Sequence, residues 1–206
     1  IIFYNRIKKK FINKDVSIIK KYWQNPSDEG NKPQQYTGKG YSTSSSDNLR
    51  TENLVKIINK LGIKNPSILE VGCNVGRNLN GLRKAGYEKL HAIEINDNAI
   101  NLMKNFFPET YKLTKISIGP AQEVLKKFSN KQFDVVYSMA VLQHIPDEDI
   151  RVVINEISRI SKAYLISYET ETYSSWKHFP RSYKILYKKF NFKYLYRKQG
   201  ARVFIK

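Results

Sequence analysis

The sequence predicts an α/β protein: a doubly wound, mostly parallel, seven-stranded sheet with helices on both faces and a closing antiparallel C-terminal hairpin. Three observations predict this fold. From residue 67 onward, short apolar runs alternate with stretches whose apolar residues have helical spacing. A glycine-containing turn follows the first run, and two β-rich runs end the chain. Strands that alternate with helices form parallel sheets covered on both faces.

The N-terminal part has a different pattern and predicts a helical extension. Residues 11–23 and 48–63 place apolar residues at helical spacing and indicate two helices. Between them, residues 26–48 are dense in Gly, Pro, Ser, Asn and Asp, which favours a lid or linker loop. We therefore divide the chain into an N-terminal helical extension with a lid or linker, residues 1–49, and a single ligand-binding domain, residues 50–206.

The remaining elements follow in order along the domain. Seven runs predict the strands, at residues 67–72, 89–95, 112–118, 132–139, 162–169, 192–196 and 201–205. The helices between them are predicted at residues 76–86, 96–107, 120–128, 147–161 and 182–190. The last two strands are joined through Lys198, Gln199 and Gly200, which predicts a hairpin.

Charge is distributed unevenly along the chain. The net charge is +18, and the excess of basic over acidic residues is +7 in residues 1–60, +2 in residues 61–159 and +9 in residues 160–206. A nearly neutral centre with basic ends suits a core whose flanks meet an anionic partner, such as nucleic acid, an acidic or phosphorylated sugar, or a membrane surface. A lysine-rich surface that serves solubility alone fits the same numbers.

Cysteine and histidine usage excludes several classes of site. Cys73 is the single cysteine, so no internal disulfide forms, and three scattered histidines give no zinc-ligand spacing. We expect no bound metal.

No apolar run approaches the roughly 20 residues of a membrane span, and the first residues lack the pattern of a signal peptide. We expect a soluble, cytoplasmic protein.

The turn after the first strand is the first candidate site. It reads Glu70-Val71-Gly72-Cys73-Asn74-Val75-Gly76. In a doubly wound sheet, ligands bind beyond the carboxyl ends of the strands. Glycines there let the backbone turn tightly and approach a ligand. The two glycines are four residues apart, which differs from the dinucleotide fingerprint and disfavours a nicotinamide oxidoreductase.

An acid also ends the second strand. Glu94 lies between Ile93 and Ile95, 18 residues after Gly76. A carboxylate at this place can accept hydrogen bonds from both hydroxyls of a ribose. A dinucleotide site and an S-adenosylmethionine site both require such an acid.

These motifs resemble those of class I S-adenosylmethionine-dependent methyltransferases. The first turn resembles their E/D-x-G-x-G-x-G signature, with Asn74 where the middle glycine usually lies; asparagine tolerates a left-handed backbone. Residues 133–145 resemble the F-D-x-V-x-x-x-x-V-L-x-H-I stretch of the same enzymes. The resemblance covers roughly residues 50–170.

The resemblance implies S-adenosylmethionine as cofactor and methyl transfer as the activity. It implies cofactor contacts from Glu70, Gly72, Cys73, Asn74, Gly76, Glu94, Ile95, Gln122 and Met139. Glu94 would bind the ribose, Gln122 would lie near the adenine amino group, and Cys73 would be a small apolar residue against the cofactor. Methyl transfer requires alignment more than a nucleophile, so none is expected.

His144 is the one histidine that the resemblance places near the reacting centre. An imidazole there could remove a proton from a hydroxyl or amine acceptor. The alternative is that His144, which is followed by Ile145 and Pro146, hydrogen-bonds the loop backbone and orders it.

The segment after the fifth strand lies where this fold places acceptor-binding side chains. We expect Glu169, Glu171, His178, Arg181 and Tyr183 to orient a polar acceptor, the alternative being a solvated loop with core aromatics. In the N-terminal stretch, Tyr36, Tyr41 and Arg50 could cap the methionine end of the cofactor.

Missing motifs narrow the acceptor class. Methyltransferases of exocyclic amines on bases carry an N/D-P-P-Y/F motif after the fourth strand, where this chain has Ser138-Met139-Ala140-Val141. Cytosine C5 enzymes need a cysteine later than Cys73. We therefore expect a small-molecule, sugar or lipid-precursor, or protein acceptor. The alternative is a basic nucleic-acid-binding protein with a methyltransferase-like core, which methylates RNA or binds it without catalysis.

Overall fold

The computed structural model describes residues 16–37 and 46–206. Within these residues seven strands form one sheet of order β3-β2-β1-β4-β5-β7-β6. The strands are β1 Ile68–Val71, β2 Leu90–Glu94, β3 Lys115–Ile118, β4 Phe133–Met139, β5 Ser161–Tyr168, β6 Lys193–Lys198 and β7 Ala201–Ile205.

The strand directions confirm the predicted fold class. Strands β1 to β5 pair in parallel, β7 runs antiparallel to β5, and β6 runs antiparallel to β7. The order reverses at β1, because β2 and β3 lie on one side of it and β4 and β5 on the other. Such a reversal opens a crevice at the carboxyl ends of the two central strands.

The helices also follow the predicted order. They are α1 Val16–Gln24, α2 Ser46–Lys60, α3 Arg77–Lys84, α4 Asp97–Phe106, α5 Pro108–Leu113, α6 Ala121–Val124, α7 Asp147–Ile160 and α8 Tyr183–Lys188. Short 3-10 helices lie at Glu29–Asn31, Pro33–Tyr36, Leu125–Lys127 and Leu142–His144.

Four elements differ from the predictions. Helix α5 was not predicted; it begins at Pro108, whose fixed φ suits a first helical position. It includes residues 112 and 113, so the third strand, predicted at residues 112–118, begins only at Lys115. Part of the predicted loop at 26–48 forms 3-10 helices, and residues 38–45 of it lie outside the described residues, as do residues 11–15 of the first predicted helix. In the hairpin, Lys198 belongs to β6, so the turn contains only Gln199 and Gly200, both with positive φ.

Both faces of the sheet are buried. Because successive side chains of a strand point to opposite faces, Ile68 and Val135 pack in one apolar cluster and Leu69 and Val136 in the other. Helices α2 and α3 cover the first cluster, and α7 covers the second. This packing holds the carboxyl ends of β1 and β4 side by side. No helix in the described ranges is long and apolar enough to cross a membrane.

Candidate functional site

A cavity of about 380 Å³ lies at the carboxyl ends of the central strands. Loops that follow β1, β2, β3 and β4 form its floor and walls, and the N-terminal segment contributes Ile19, Trp23, Pro33 and Tyr36. Cavities of this size bind small ligands. No group of His, Cys, Asp and Glu residues suited to a metal ion occurs in residues 16–37 and 46–206.

The turn after β1 has a left-handed backbone at three places. The φ angles of Gly72, Asn74 and Gly76 are 76°, 49° and 77°. Asn74 therefore has the left-handed conformation that asparagine was expected to tolerate there. A β-carbon on Gly72 would lie 2.4 Å from Val141 Cγ2, and one on Gly76 would lie 2.6 Å from Met103 Sδ. Packing against the branched Val141 side chain therefore requires glycine at position 72, whereas at position 76 the flexible Met103 side chain could move and the positive φ is the main constraint.

Glu94 joins the end of β2 to this turn. Its Oε2 accepts a hydrogen bond from the Asn74 N–H at 2.7 Å, and its Oε1 accepts from the N–H groups of Ile95 and Asn96, both at 2.9 Å. Burial raises the pKa of Glu94, and these three N–H groups oppose the rise. The predicted ribose-binding acid and its neighbour Ile95 both line the cavity.

Glu70 is a second buried acid on the cavity wall. Its Oε1 accepts a hydrogen bond from Asn78 Nδ2 at 2.8 Å, whereas its Oε2 has no hydrogen-bond partner among the described residues. Burial raises its pKa to about 8. The nearby Tyr137 hydroxyl opposes that rise but lies outside hydrogen-bonding geometry. A buried carboxyl with an unsatisfied oxygen suits a cationic or N–H-bearing ligand.

Three further predicted cofactor contacts line the same cavity. Cys73 is buried, and burial raises the pKa of its thiol, so it is a packing residue and not a reactive thiolate. Met139 Sδ lies 3.7 Å from Asn78 Nδ2. Gln122 Nε2 donates to Asp149 Oδ2 at 3.1 Å.

His144 lies in the loop after β4 and is held on both ring nitrogens. Its Nδ1 is 2.7 Å from the Lys177 carbonyl oxygen, so Nδ1 carries the proton, and its Nε2 is 3.3 Å from Gln143 Nε2. Burial lowers the pKa of His144 to about 3. The ring is neutral at physiological pH, and the amide of Gln143 occupies its remaining lone pair.

A row of aromatic rings borders the cavity. Successive ring centroids are 4.9, 5.0, 4.2, 4.4 and 4.7 Å apart along Trp176, Tyr22, Trp23, His144, His178 and Tyr173. Three segments that are distant in sequence contribute to this aromatic row: α1, the loop after β4 and the segment after β5. Trp23, His144 and His178 line the cavity.

Lys177 attaches the N-terminal segment to the rest of the protein. Its ammonium forms an ion pair with Asp28, donates to the Tyr22 hydroxyl at 2.7 Å and lies 4.5 Å from the centroid of the Tyr22 ring. Lys177 is only 8% exposed. Lys20 Nζ lies 3.5 Å from Asp149 Oδ2, and both residues line the cavity. Two ion pairs thus attach the segment 16–37 to the rest of the protein.

Most of the residues expected to orient an acceptor contact other parts of the protein. Glu171 Oε1 accepts from the Tyr183 N–H at 2.9 Å, and its Oε2 pairs with Arg202. Arg181 Nη2 donates to the Ile145 carbonyl at 2.8 Å and pairs with Asp147. Tyr183 is buried in the core beneath α7 and β7.

Glu169 is also buried, and its carboxylate holds the loop after β4. Of the five expected acceptor residues, His178 is the one that lines the cavity. Its Nδ1 is 2.7 Å from Ser175 Oγ, and burial lowers its pKa. Tyr36 and Arg50 also line the cavity, while Tyr41 lies outside the described residues.

Several lining residues were not selected from the sequence. Asn78 could have been found, because the first turn of a helix after a glycine turn faces the same crevice. No sequence pattern indicated Trp23, Lys20 or Asp149, because their positions beside the cavity depend on how segments distant in sequence pack together.

Comparison with known proteins matches residues 69–164 to the family described as a methyltransferase domain. The strand order is that of the class I methyltransferase fold, so the match and the strand order together confirm the resemblance found in the sequence. No curated protein matches the chain.

Solved structures share the fold at low identity. Magnesium protoporphyrin IX methyltransferase from Synechocystis PCC 6803, with bound S-adenosylhomocysteine, is 13% identical with a TM-score of 0.68, and the match covers 93% of this chain and 100% of that one. The PH0226 protein of Pyrococcus horikoshii OT3 is 18% identical with a TM-score of 0.67, covering 84% and 98%.

A third structure is phosphoethanolamine N-methyltransferase 2 of Haemonchus contortus, in complex with phosphomonomethylethanolamine and S-adenosylhomocysteine. It is 17% identical with a TM-score of 0.56, covering 68% of this chain and 37% of that one. At these identities the likeness concerns the fold. The alternative of a nucleic-acid-binding protein without catalysis gains no support from these matches.

Proposed function

We propose that the protein binds S-adenosylmethionine in this cavity and transfers its methyl group to an acceptor. The acceptor is a small molecule, a sugar or lipid precursor, or a protein side chain. The observation that carries the proposal is the convergence of the glycine turn, Glu94 and the unsatisfied Glu70 oxygen on one cavity, within a methyltransferase domain.

The cavity residues fit the chemical groups of this cofactor. Glu94 already accepts three N–H bonds, and a carboxylate has about four lone-pair sites, so about one site remains for a ribose hydroxyl. The unsatisfied oxygen of Glu70 suits an ammonium or sulfonium charge. Gln122 donates its amide to Asp149, which leaves its carbonyl oxygen as an acceptor for an adenine amino group.

The bound cofactor supplies a methyl group on a positively charged sulfur, which is a good leaving group. The task of the protein is then to align the acceptor and exclude water. The N-terminal segment, held by Lys177 and Lys20, covers the cavity and supports this role. The aromatic row lies beside the cavity and supports an acceptor site at this end.

We further propose distinct roles for the two histidines. His144 orders the loop after β4, because its two nitrogens bind Lys177 and Gln143. His178 Nε2 makes no hydrogen bond with any described residue, so this nitrogen is available to bind the acceptor or to receive its proton.

Titration calorimetry tests the cofactor assignment. We expect binding of S-adenosylmethionine and S-adenosylhomocysteine, and none of nicotinamide dinucleotides. Absence of heat with both adenosyl ligands would overturn the proposal. A crystal structure with S-adenosylhomocysteine then identifies the acceptor site, from the space and any residual density beside the sulfur.

A further inference from the structure

The carboxylate of Glu169 lies outside the cavity yet binds the loop that forms its wall. Glu169 follows β5 directly and is 6% exposed. Its Oε1 accepts from Ser138 Oγ at 2.8 Å, and its Oε2 accepts from the N–H groups of Val141 and Gln143, both at 3.1 Å. Three donors from β4 and its following loop therefore converge on one buried carboxyl group.

The loop also binds back to the segment around Glu169. Gln143 Oε1 accepts from the Thr170 N–H at 2.7 Å, and the Ala140 N–H donates to the Tyr168 carbonyl at 2.8 Å. Arg202 Nη1 donates to the Glu169 carbonyl at 3.0 Å. The position of the loop relative to β5 is thus defined by contacts on both sides of Glu169.

The same loop determines the shape of the cavity. Ala140 has a φ of 55°, a strained conformation for a residue with a β-carbon, so the turn needs external support. One residue later, Val141 packs on Gly72, close enough to exclude a β-carbon there. Met139, Gln143 and other loop residues line the cavity wall.

A carboxyl group suits this place for a chemical reason. Val141 and Gln143 present buried N–H donors, and an apolar replacement would leave them unsatisfied. A glutamine at position 169 would keep the size but replace one acceptor oxygen by an NH2 donor. If the remaining oxygen stays on the Val141 and Gln143 N–H groups, the NH2 faces Ser138 Oγ, which can accept from it, so what is lost is the negative charge that strengthens these bonds.

We propose that Glu169 is a positioning residue for cofactor binding: it holds the loop after β4 against the turn after β1, so that Val141 meets Gly72 and the cavity has its binding shape. This inference rests on the proposed function. It also assigns the carboxylate of Glu169 a role inside the protein in place of direct contact with the acceptor.

The test compares Glu169→Gln with a matched control, Asp134→Asn. Asp134 lies at the opposite end of β4 and makes similar bonds: its Oδ2 accepts from the Ser67 N–H at 2.9 Å and from Ser67 Oγ at 2.8 Å. Burial raises the pKa of Glu169 to about 7, so the comparison is made at pH 8, where the group is ionised. We expect Glu169→Gln to weaken S-adenosylhomocysteine binding by about tenfold or more, as loss of charged hydrogen bonds implies. Asp134→Asn should lower the melting temperature and leave that affinity within about twofold.

Hydrogen exchange of the ligand-free proteins is the second measurement. The amides of Val141 and Gln143 should exchange faster in Glu169→Gln than in the wild type. In Asp134→Asn their exchange rates should equal those of the wild type. Should Glu169→Gln fail to fold, Ser138→Ala, which removes one of the three donors, should show the same changes on a smaller scale.

Three results would overturn the inference: wild-type affinity in folded Glu169→Gln, unchanged exchange of the two amides, or equal losses of affinity in both variants. If the wild type itself does not bind S-adenosylhomocysteine, the proposed function fails. The exchange rates in ligand-free protein still decide separately whether Glu169 holds the loop.

Discussion

The side chain of Val141 occupies the space that a β-carbon on Gly72 would need, with only 2.4 Å between that carbon and Cγ2. Gly72 also has a φ of 76°, which costs any other residue about 1–2 kcal/mol. Two independent constraints therefore require glycine at this position.

Gly72→Ala should lower the free energy of unfolding by about 2–4 kcal/mol, because backbone strain and overpacking add. Adding Val141→Ala removes both close methyl groups and leaves a tight 3.1 Å contact to Cβ, which a small shift can relieve. The double variant should regain part of the loss, as measured by urea unfolding. No recovery would show that the contact with Val141 is not the cause.

Glu94→Gln should weaken S-adenosylhomocysteine binding by roughly ten- to a hundredfold, since a charged acceptor of a ribose hydroxyl is lost. The same change replaces one acceptor oxygen by an NH2 donor, which would face either the Asn74 N–H or the N–H groups of Ile95 and Asn96, so the melting temperature should also fall. Glu123→Gln, an exposed acid on α6, is the control and should change neither quantity. Normal binding by folded Glu94→Gln would place the ribose elsewhere.

His144→Ala separates an ordering role from catalysis by a base. If His144 orders its loop, the variant should melt earlier, because the bond to the Lys177 carbonyl and the contact with Trp23 are lost. Once an acceptor is known, turnover at low temperature should persist, and the wild-type rate should show no titration of His144 between pH 5 and 8. Loss of most turnover at unchanged stability would make His144 the base.

The low pKa of His144 also predicts a dependence of stability on pH. The pKa of His144 is 6.5 in the unfolded chain and about 3 in the folded protein, so between these values only the unfolded chain binds the proton. Acidification from pH 6.5 to 5 should therefore lower the free energy of unfolding by roughly 2 kcal/mol. Urea unfolding of wild type and His144→Ala over this pH range measures how much of the pH dependence comes from His144. If the free energies of unfolding of the two proteins fall equally with pH, the prediction is wrong.

Glu70 predicts that cofactor binding depends on pH. Its pKa of about 8 in the free protein leaves it largely protonated at pH 7, and a cationic ligand favours the ionised form. S-adenosylmethionine should bind more tightly from pH 6.5 to 8.5, by up to about tenfold per pH unit below 8, with release of a proton.

Calorimetry in buffers of different ionisation enthalpy measures that proton, with Glu70→Gln as the control. The amino group of the ligand titrates in both proteins, so their difference isolates Glu70. Equal proton release would show that Glu70 does not respond to the ligand.

Much of the fold could be predicted because each strand and helix is indicated by the residues of that segment alone. The alternation of apolar runs and helical patterns indicates each strand, and the strands of residues 68–71 and 90–94 end in the turn and the acid that define the site. Helix α5 escaped prediction because the pattern of residues 108–113 is short and follows another helix directly.

The acceptor side was less predictable for a physical reason. Sequence places a carboxylate after β5, but it does not show which buried N–H groups that carboxylate reaches; Glu169 and Glu171 bind the protein itself. Likewise, Trp23 lines the cavity through contacts between distant segments, since its helix is attached by Lys177 to Asp28 and Tyr22 and by Lys20 to Asp149. Whether any of these residues contacts an acceptor stays a prediction.

The attachment of Asp28 to Lys177 also has a consequence for biosynthesis. The two residues are 149 positions apart, so the ribosome completes the first long before the second. Strands β1 to β5 lie between them and can pair before the attachment forms. Of the two ion pairs that attach the segment 16–37, the pair of Lys20 with Asp149 can therefore form first, and the pair of Asp28 with Lys177 completes the attachment only once Lys177 has been synthesised.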